Sequence, residues 1–207
     1  MSKHLLPGVI AMAATVVASN ILVQYLLGPW LTWGALTYPV AFLVTDLTNR
    51  LHGAAAARKV VLVGFGVGVI CSLIGSQIMG EFGPLVTLRV AIGSGLAFLA
   101  AQLTDVAIFN RLRARFWWQA PLFSTLVSSS LDTCLFFAIA FSASFSFLHP
   151  ATDVAWANEA LPLLGVGPVA PLWVSLAVAD WLVKLAMAAV ALVPFRLVVE
   201  KLTHRAA

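Results

Sequence analysis

Asp46, Asp105, Asp132 and Asp180 all stand inside long apolar runs, and together they are half of the eight acidic residues in this 207-residue chain. A carboxylate at bilayer depth costs roughly 2.5–3.5 kcal/mol on insertion scales, so it persists where a partner compensates it or a function requires it. Four such groups point to a polar site buried in a membrane protein. The chemistry open to them is acceptor chemistry. An ionised carboxylate takes two parallel donors at once, pairs with a cation, or binds a proton.

Their neighbours divide them. Asp132 falls about 14 residues into its run and Asp180 about 10 into its own, which at 1.5 Å per helical residue places both near the midplane. Asp132 lies between Ser128-Ser129-Ser130 and Thr133, with Phe136 and Phe137 one turn on; no helix end accounts for it. Asp46, with Thr48 and Arg50, and Asp105, with Asn110 and Arg111, each admit the plainer reading of a helix end meeting the cytoplasmic surface. Asp180 and Lys184 share a helix face at i and i+4. They form an internal ion pair, or Lys184 compensates a carboxylate of a ligand site or gate. Arg89 either pairs with one of the aspartates or snorkels outwards along its own stem. Asn20 and Gln24 share a face, and Gln102 precedes Asp105 by three; such amides cross-link helices or offer donors and acceptors to a ligand. Trp181, halfway along its run, is a packed or lipid-facing ring, or a stacking surface for a flat ligand. The candidate substrate-binding residues are therefore Asp132, Asp46, Asn20, Gln102, Trp181 and Phe136, and the candidate gating or ion-pair residues are Asp180, Lys184, Arg89 and Asp105.

Several chemistries are excluded. His4, His52, His149 and His204 all fall in expected loops or termini, so no metal cluster or His-activated serine is expected within the membrane, and no cofactor is implied. No phosphate-cradling G-x-x-x-x-G-K-[ST] stretch occurs. Asp132 and Asp180 lack the glycine-flanked form of an intramembrane aspartyl enzyme, so the chain does not read as an enzyme. Cys71 and Cys134 lie in apolar runs, where small buried hydrophobic use is the default.

The elements that must position these groups follow from composition. Apolar residues make up 61% of the chain and charged residues 10%, against about 25% charged in a soluble domain, and the mean hydropathy is +0.99. The chain's solvent is lipid. A spanning helix needs about 20 apolar residues, so residues 1–207 read as one all-α integral membrane domain of six transmembrane helices. The spans fall at about 6–27, 31–49, 59–79, 86–109, 118–142 and 170–194. Gly28-Pro29 breaks the first join, Gly80 to Pro84 the third, and the Pro/Gly-rich stretch 144–168 the fifth. Ala11-Met12-Ala13 has a small-x-small form, but its apolar run extends from Leu5 to Leu27, too long for a signal core. Gly64/Gly68 and Gly93/Ala97 read as close-packing faces. A homo-oligomer is left open.

Lysine and arginine set the orientation. Lys3; Arg50, Arg58 and Lys59; Arg111, Arg113 and Arg115; and Arg196, Lys201 and Arg205 are ten of the twelve bases, all on alternate connections. The opposite connections carry Glu81, Asp153 and Glu159. Both termini are therefore expected in the cytoplasm. Trp30, Trp33 and Trp173 suit the outer interface, and Trp117 and Trp118 the inner one. The net charge of +4 reflects this asymmetry; no basic stripe with interleaved aromatics suggests nucleic-acid contact.

Particular stretches resemble the bacterial queuosine precursor transporters of the wider vitamin-uptake transporter group. The resemblance is carried by Thr32-Trp33-Gly34-Ala35, Pro39, and Phe42-Leu43-Val44-Thr45-Asp46-Leu47-Thr48 through Arg50, Gly53 and Ala57-Arg58. Ser19-Asn20 with Leu22-Val23-Gln24, Gln102 with Asp105, Phe109-Asn110-Arg111-Leu112-Arg113 and Trp117-Trp118 continue it. So do Ser124-Thr125-Leu126, Asp132-Thr133 with Phe136-Phe137, and the Asp180/Lys184 pair. It runs in order through nearly the whole chain. Two departures stand out: Ser129 where the family often carries an amide, and the stretch 144–168, which matches no family pattern.

The resemblance implies a six-helix inner-membrane importer of 7-cyano-7-deazaguanine or its 7-aminomethyl relative, serving queuosine in tRNA. The alternative is a substrate-binding membrane subunit that needs a separate ATPase. The residue chemistry suits such a base. Its ring N–H and exocyclic NH₂ are two parallel donors for one carboxylate, Asp132 or Asp46. Asn20 and Gln102 would meet its acceptors, and Trp181, Phe136 or Tyr38 would stack on its face. Partners are then the deazaguanine substrate and the lipid bilayer.

Overall fold

At bilayer depth the backbone has no water to bond, so a chain this apolar satisfies its amides within helices. The computed structural model describes residues 3–81 and 83–204. A 3-10 turn leads into α1 (Leu6–Leu22), and a hairpin of β1 (Leu26–Leu27) and β2 (Leu31–Thr32) follows. Then come α2 (Trp33–Thr37), α3 (Val40–His52) and α4 (Ala54–Gly75). A second hairpin, β3 (Met79–Gly80) and β4 (Gly83–Pro84), leads to α5 (Leu88–Leu112) and α6 (Gln119–Phe141). The third hairpin, β5 (Ala160–Pro162) and β6 (Val169–Pro171), precedes α7 (Leu172–His204). The protein is an all-α membrane protein with minor hairpins. Among the described residues α4, α5, α6 and residues Leu172–Leu202 of α7 are long and apolar enough to cross a membrane, and α1 is a shorter apolar helix of 17 residues.

Two expected spans come out differently. The first was expected to reach residue 27, but α1 ends at Leu22, because Gly28 (φ +72°) and Pro29 turn the chain into the first hairpin. Gln24 is therefore exposed outside the helix and shares no face with Asn20. The second, expected as one helix over 31–49, is broken at Tyr38-Pro39 into α2 and α3. Pro39 has no N–H to donate and its ring crowds the preceding turn, so the helix restarts after it. Tyr38 is left at the break.

The core binds α1, α3, α4 and α5. Met12, Val16, Ala41, Val44, Ala57, Val60, Val61, Phe98 and Val106 form one buried cluster. Small residues let these helices approach: a methyl group on Gly64 would lie 2.6 Å from Met12 Cγ, and one on Gly93 3.3 Å from the Phe136 carbonyl oxygen. At Gly34 the neighbour is backbone: a methyl group there would lie 2.9 Å from Val23 N and Cα. Large apolar side chains such as Leu62, Ile70, Leu73 and Val190 stay exposed, as a lipid-facing surface requires.

The last turn of α3 and the end of α5 meet. Arg50 Nη1 donates to the Arg113 carbonyl and Arg113 Nη2 to the Arg50 carbonyl, both at 2.8 Å. Arg196 of α7 lies 5.0 Å from the Trp117 ring centroid. Arg50, Arg113 and Arg196, three of the bases expected on one membrane face, thus lie at one end of the bundle. Arg205 lies outside the described residues.

Candidate functional site

The site is organised by α6. Ser124, Ser128 and Asp132 recur at i+4, as do Thr125, Ser129 and Thr133, so one face of this apolar helix is polar. All six are buried. A polar face turned inwards needs partners, and α3, α5 and α7 supply them.

Midway along α6, Lys184 of α7 lies between two carboxylates. Its Nζ is 2.6 Å from Asp132 Oδ2, 2.5 Å from Asp180 Oδ2 and 3.0 Å from Thr133 Oγ1. Thr133 donates to Asp180 Oδ2 at 2.9 Å. The other Asp132 oxygen accepts from the Tyr38 hydroxyl at 2.9 Å, and the Lys184 ammonium lies 5.3 Å from the Tyr38 ring centroid. One cation and two carboxylates share this buried group. Both oxygens of Asp132 are occupied. The i,i+4 pair of Asp180 and Lys184 is present, and Asp132 completes it as a triad across two helices. The break at Pro39 is what points Tyr38 into the group.

A second group lies further along α6 towards the Arg50/Arg113 end. Asp46 and Asp105 face each other within hydrogen-bonding range. Ser124 and Thr125 reach the two Asp46 oxygens at 3.4 Å each, and Ser128 donates to Asp105 Oδ1 at 3.1 Å. Neighbouring rungs join the same two helices: Thr45 donates to Gln102 Oε1 at 2.5 Å, and Asn49 to the Val106 carbonyl at 3.1 Å. Asp46 is 2% exposed and Asp105 0%, so neither is a helix end at the surface. Asn49 Oδ1, Gln102 Nε2 and Asp105 Oδ2 are buried without a hydrogen-bond partner.

A cavity of about 480 Å³ opens between α1, α4 and α5. Phe65, Phe98 and Tyr38 give it aromatic walls, and Asn20, Ser72 and Ser94 give it polar groups. The Asn20 amide nitrogen is held by the Val16 carbonyl at 2.9 Å, which orients its oxygen. Tyr38 thus lines the cavity and touches the Asp132 group at once. By contrast, the gap beside Asp46 is about 10 Å³, room for no more than a water.

The expected substrate-binding residues are therefore not one cluster. Asn20 lines the cavity. Asp132 lies behind Tyr38. Asp46 and Gln102 belong to the rungs between α3 and α5. Phe136 packs with Phe137 and Phe141 at the other end of α6. Trp181 is 36% exposed and donates to Ser130 Oγ at 2.9 Å, away from the cavity. Arg89 meets neither expectation. It is fully buried and among the described residues makes no ion pair; its guanidinium donates to the Ile139 and Ser142 carbonyls at 2.6–3.1 Å. It thereby caps the C-terminal end of α6, where unpaired carbonyls and the helix dipole favour a cation. The hydroxyl face of α6 and Asn49 were missed as site residues. The 3.6-residue recurrence of serine and threonine around Asp132 is the signal that marks the former.

Comparison with known proteins gives a consistent family. The model of the family described as "Putative vitamin uptake transporter" matches residues 32–199. A "Probable queuosine precursor transporter" of Haemophilus influenzae is 42% identical over 124 residues, 55% of this chain and 53% of that one. The "Queuosine precursor transporter" of Escherichia coli is 41% identical over 140 residues, 61% of this chain and 63% of that one. A "Probable queuosine precursor transporter" of Bacillus subtilis is 29% identical over 197 residues, covering 86% and 75%. The chain thus spans little more than half the length of the first two relatives. No solved structure matches it. The matched region takes in the Asp46/Asp105 pair, the Asp132–Lys184–Asp180 triad and Tyr38, and the chain belongs to the vitamin uptake transporter family, a family of transporters and not of enzymes.

Proposed function

We propose that this protein imports a queuosine precursor, 7-cyano-7-deazaguanine or its 7-aminomethyl relative, across the bacterial inner membrane. The observation that carries this reading is the aromatic-walled cavity closed by Tyr38 over Asp132. Its volume lies within the range of small-molecule sites, which pair apolar walls with a few placed polar groups. The flat base enters between Phe65, Phe98 and Tyr38, and Asn20 meets its polar edge. The ring N–H and exocyclic NH₂ then replace the Tyr38 hydroxyl on Asp132, a carboxylate suited to two parallel donors. Lys184, itself held by Asp180, fixes that carboxylate in place. Six crossings are proposed: the four long helices, α1, and the broken α2–α3 unit. Both termini face the cytoplasm, as the gathering of Arg50, Arg113 and Arg196 at one end supports.

The test is expression in a strain that can neither make nor import the precursor, with queuosine in tRNA as the readout. Wild type restores queuosine when precursor is supplied. Asp132→Asn and Asn20→Ala lower uptake at normal membrane levels, Asp132→Asn by tenfold or more. Unchanged uptake in Asp132→Asn refutes the proposed contact. Restoration only when a separate ATPase is co-expressed refutes a standalone importer.

A further inference from the structure

Asp46 and Asp105 remain unused by substrate recognition. They face each other within hydrogen-bonding range, and Asp105 Oδ2 has no donor. Two ionised carboxylates are both acceptors only, so neither can satisfy the other. The hydroxyls of Ser124, Thr125 and Ser128 supply donors to the remaining oxygens but none to Asp105 Oδ2. Gln102, fully buried on the preceding turn of α5, leaves Nε2 unpartnered, and Asn49, fully buried on the following turn of α3, leaves Oδ1 unpartnered. Such orphaned atoms are rare and mark a ligand or a strained state.

Among the described residues no ion pair to Asp46 or Asp105 is present. α6 presents Pro121 and hydroxyls, and α7 presents Met187, Ala188, Ala191, Leu192 and Phe195 beside Asp46. α1 and α4 pack on α3 through Met12, Val16, Ala57, Val60 and Val61. Arg50 and Arg113 are committed to each other's carbonyls. Of the charged groups on α7, Lys184 is already shared by two carboxylates, and Arg196 pairs with Glu200 and lies over the Trp117 ring. One proton between Asp46 and Asp105 supplies the missing donor and removes one of two like charges at contact, the arrangement by which paired carboxyls share a site.

Position links the pair to the cavity. Phe98, Gln102 and Asp105 fall on one face of α5, and Tyr38, Thr45 and Asp46 follow one another towards the same end of the bundle. From Phe98 to Asp105 the rise is about 10 Å. The pair thus lies below the cavity floor, on the side facing the basic connections. We propose that Asp46 and Asp105 are a proton-sharing carboxyl pair and the site through which import is coupled to proton movement. The step is a simple transfer: H⁺ adds to one carboxylate, the resulting O–H donates to its partner, and release of H⁺ to the opposite side restores two carboxylates. This rests on the proposed import of a deazaguanine.

Two measurements on the purified full-length protein test it. Infrared spectroscopy reads the C=O stretch of a protonated carboxyl at neutral pH. Wild type is expected to show one such band, absent from Asp46→Asn and Asp105→Asn, whose amide supplies the donor to the remaining carboxylate. No band in wild type, or a band that persists in both variants, overturns the shared proton. In empty proteoliposomes an acidic exterior is expected to drive accumulation of labelled 7-cyano-7-deazaguanine by tenfold or more in wild type, exchange being read separately in vesicles preloaded with the unlabelled compound. Asp105→Asn loses this accumulation yet keeps exchange of labelled for unlabelled substrate. Wild-type exchange without gradient-driven accumulation overturns the coupling. Absence of exchange in wild type instead refutes the import reading, and the infrared result still decides the proton site.

Discussion

Replacing Lys184 by methionine removes the only ammonium from a group holding two buried carboxylates. Asp132 and Asp180 lie 2.6 and 2.5 Å from it, with side chains 4% and 14% exposed. Removing one partner of a buried pair costs about 3–5 kcal/mol, because an uncompensated charge remains. For a chain of this size that corresponds to a fall in Tm of about 6–20 °C. Adding Asp132→Asn to Lys184→Met removes one of the stranded charges, so the double variant is expected to recover at least about 1 kcal/mol relative to the sum of the single losses. Thermal unfolding of detergent-purified protein, followed by tryptophan fluorescence and by loss of the monodisperse size-exclusion peak, reads both effects. A Lys184→Met protein that melts with wild type refutes the compensating role of the lysine. Strict additivity of the two substitutions refutes the triad.

Arg89→Ala should strip the Ile139 and Ser142 carbonyls of a charged donor, at about 1.5–3 kcal/mol per bond. Arg89→Lys should recover only part, since a point ammonium cannot reproduce the planar fork; equal melting of Arg89→Lys and wild type would count against the cap. Gly34→Ala places a methyl 2.9 Å from the Val23 backbone, while Gly66→Ala meets nothing within 4 Å. The first should lower expression and melting temperature and the second neither, as membrane-fraction blots and melting curves would show. Trp181→Phe loses one half-exposed hydrogen bond to Ser130, worth about 1 kcal/mol. Substrate KM should stay within twofold of wild type, and a tenfold rise would return Trp181 to the substrate site.

Much of the architecture was legible because lipid leaves few options. Long apolar runs must become helices, and the runs over α4, α5 and α6 were found with ends up to five residues off, whereas α7 continues through Pro194 to His204, ten residues past its expected end. The break at Tyr38-Pro39 was the main miss, although Pro39 is the residue that causes it; hydropathy continues unchanged across the break. The site was legible in its members and not in its partition. Residue type marked Asp46, Asp105, Asp132, Asp180 and Lys184 as costly, and i,i+4 spacing paired the last two. Sequence spacing could not show that Asp105 crosses to Asp46, which is 59 residues away, or that Asp132 crosses to Lys184. Nor could it show that Arg89 turns inwards, since both its expected partners and its actual carbonyl partners depend on how α5 crosses α6 at Gly93.

Reconstitution of this chain alone tests the import reading most directly. Purified protein in liposomes, with no ATPase present, is supplied with labelled 7-cyano-7-deazaguanine and challenged with the unlabelled 7-aminomethyl relative. The expected result is saturable uptake, competed by the relative and reduced at least tenfold in Asp132→Asn. Uptake no greater than in empty liposomes, from protein that remains folded and monodisperse, would contradict it.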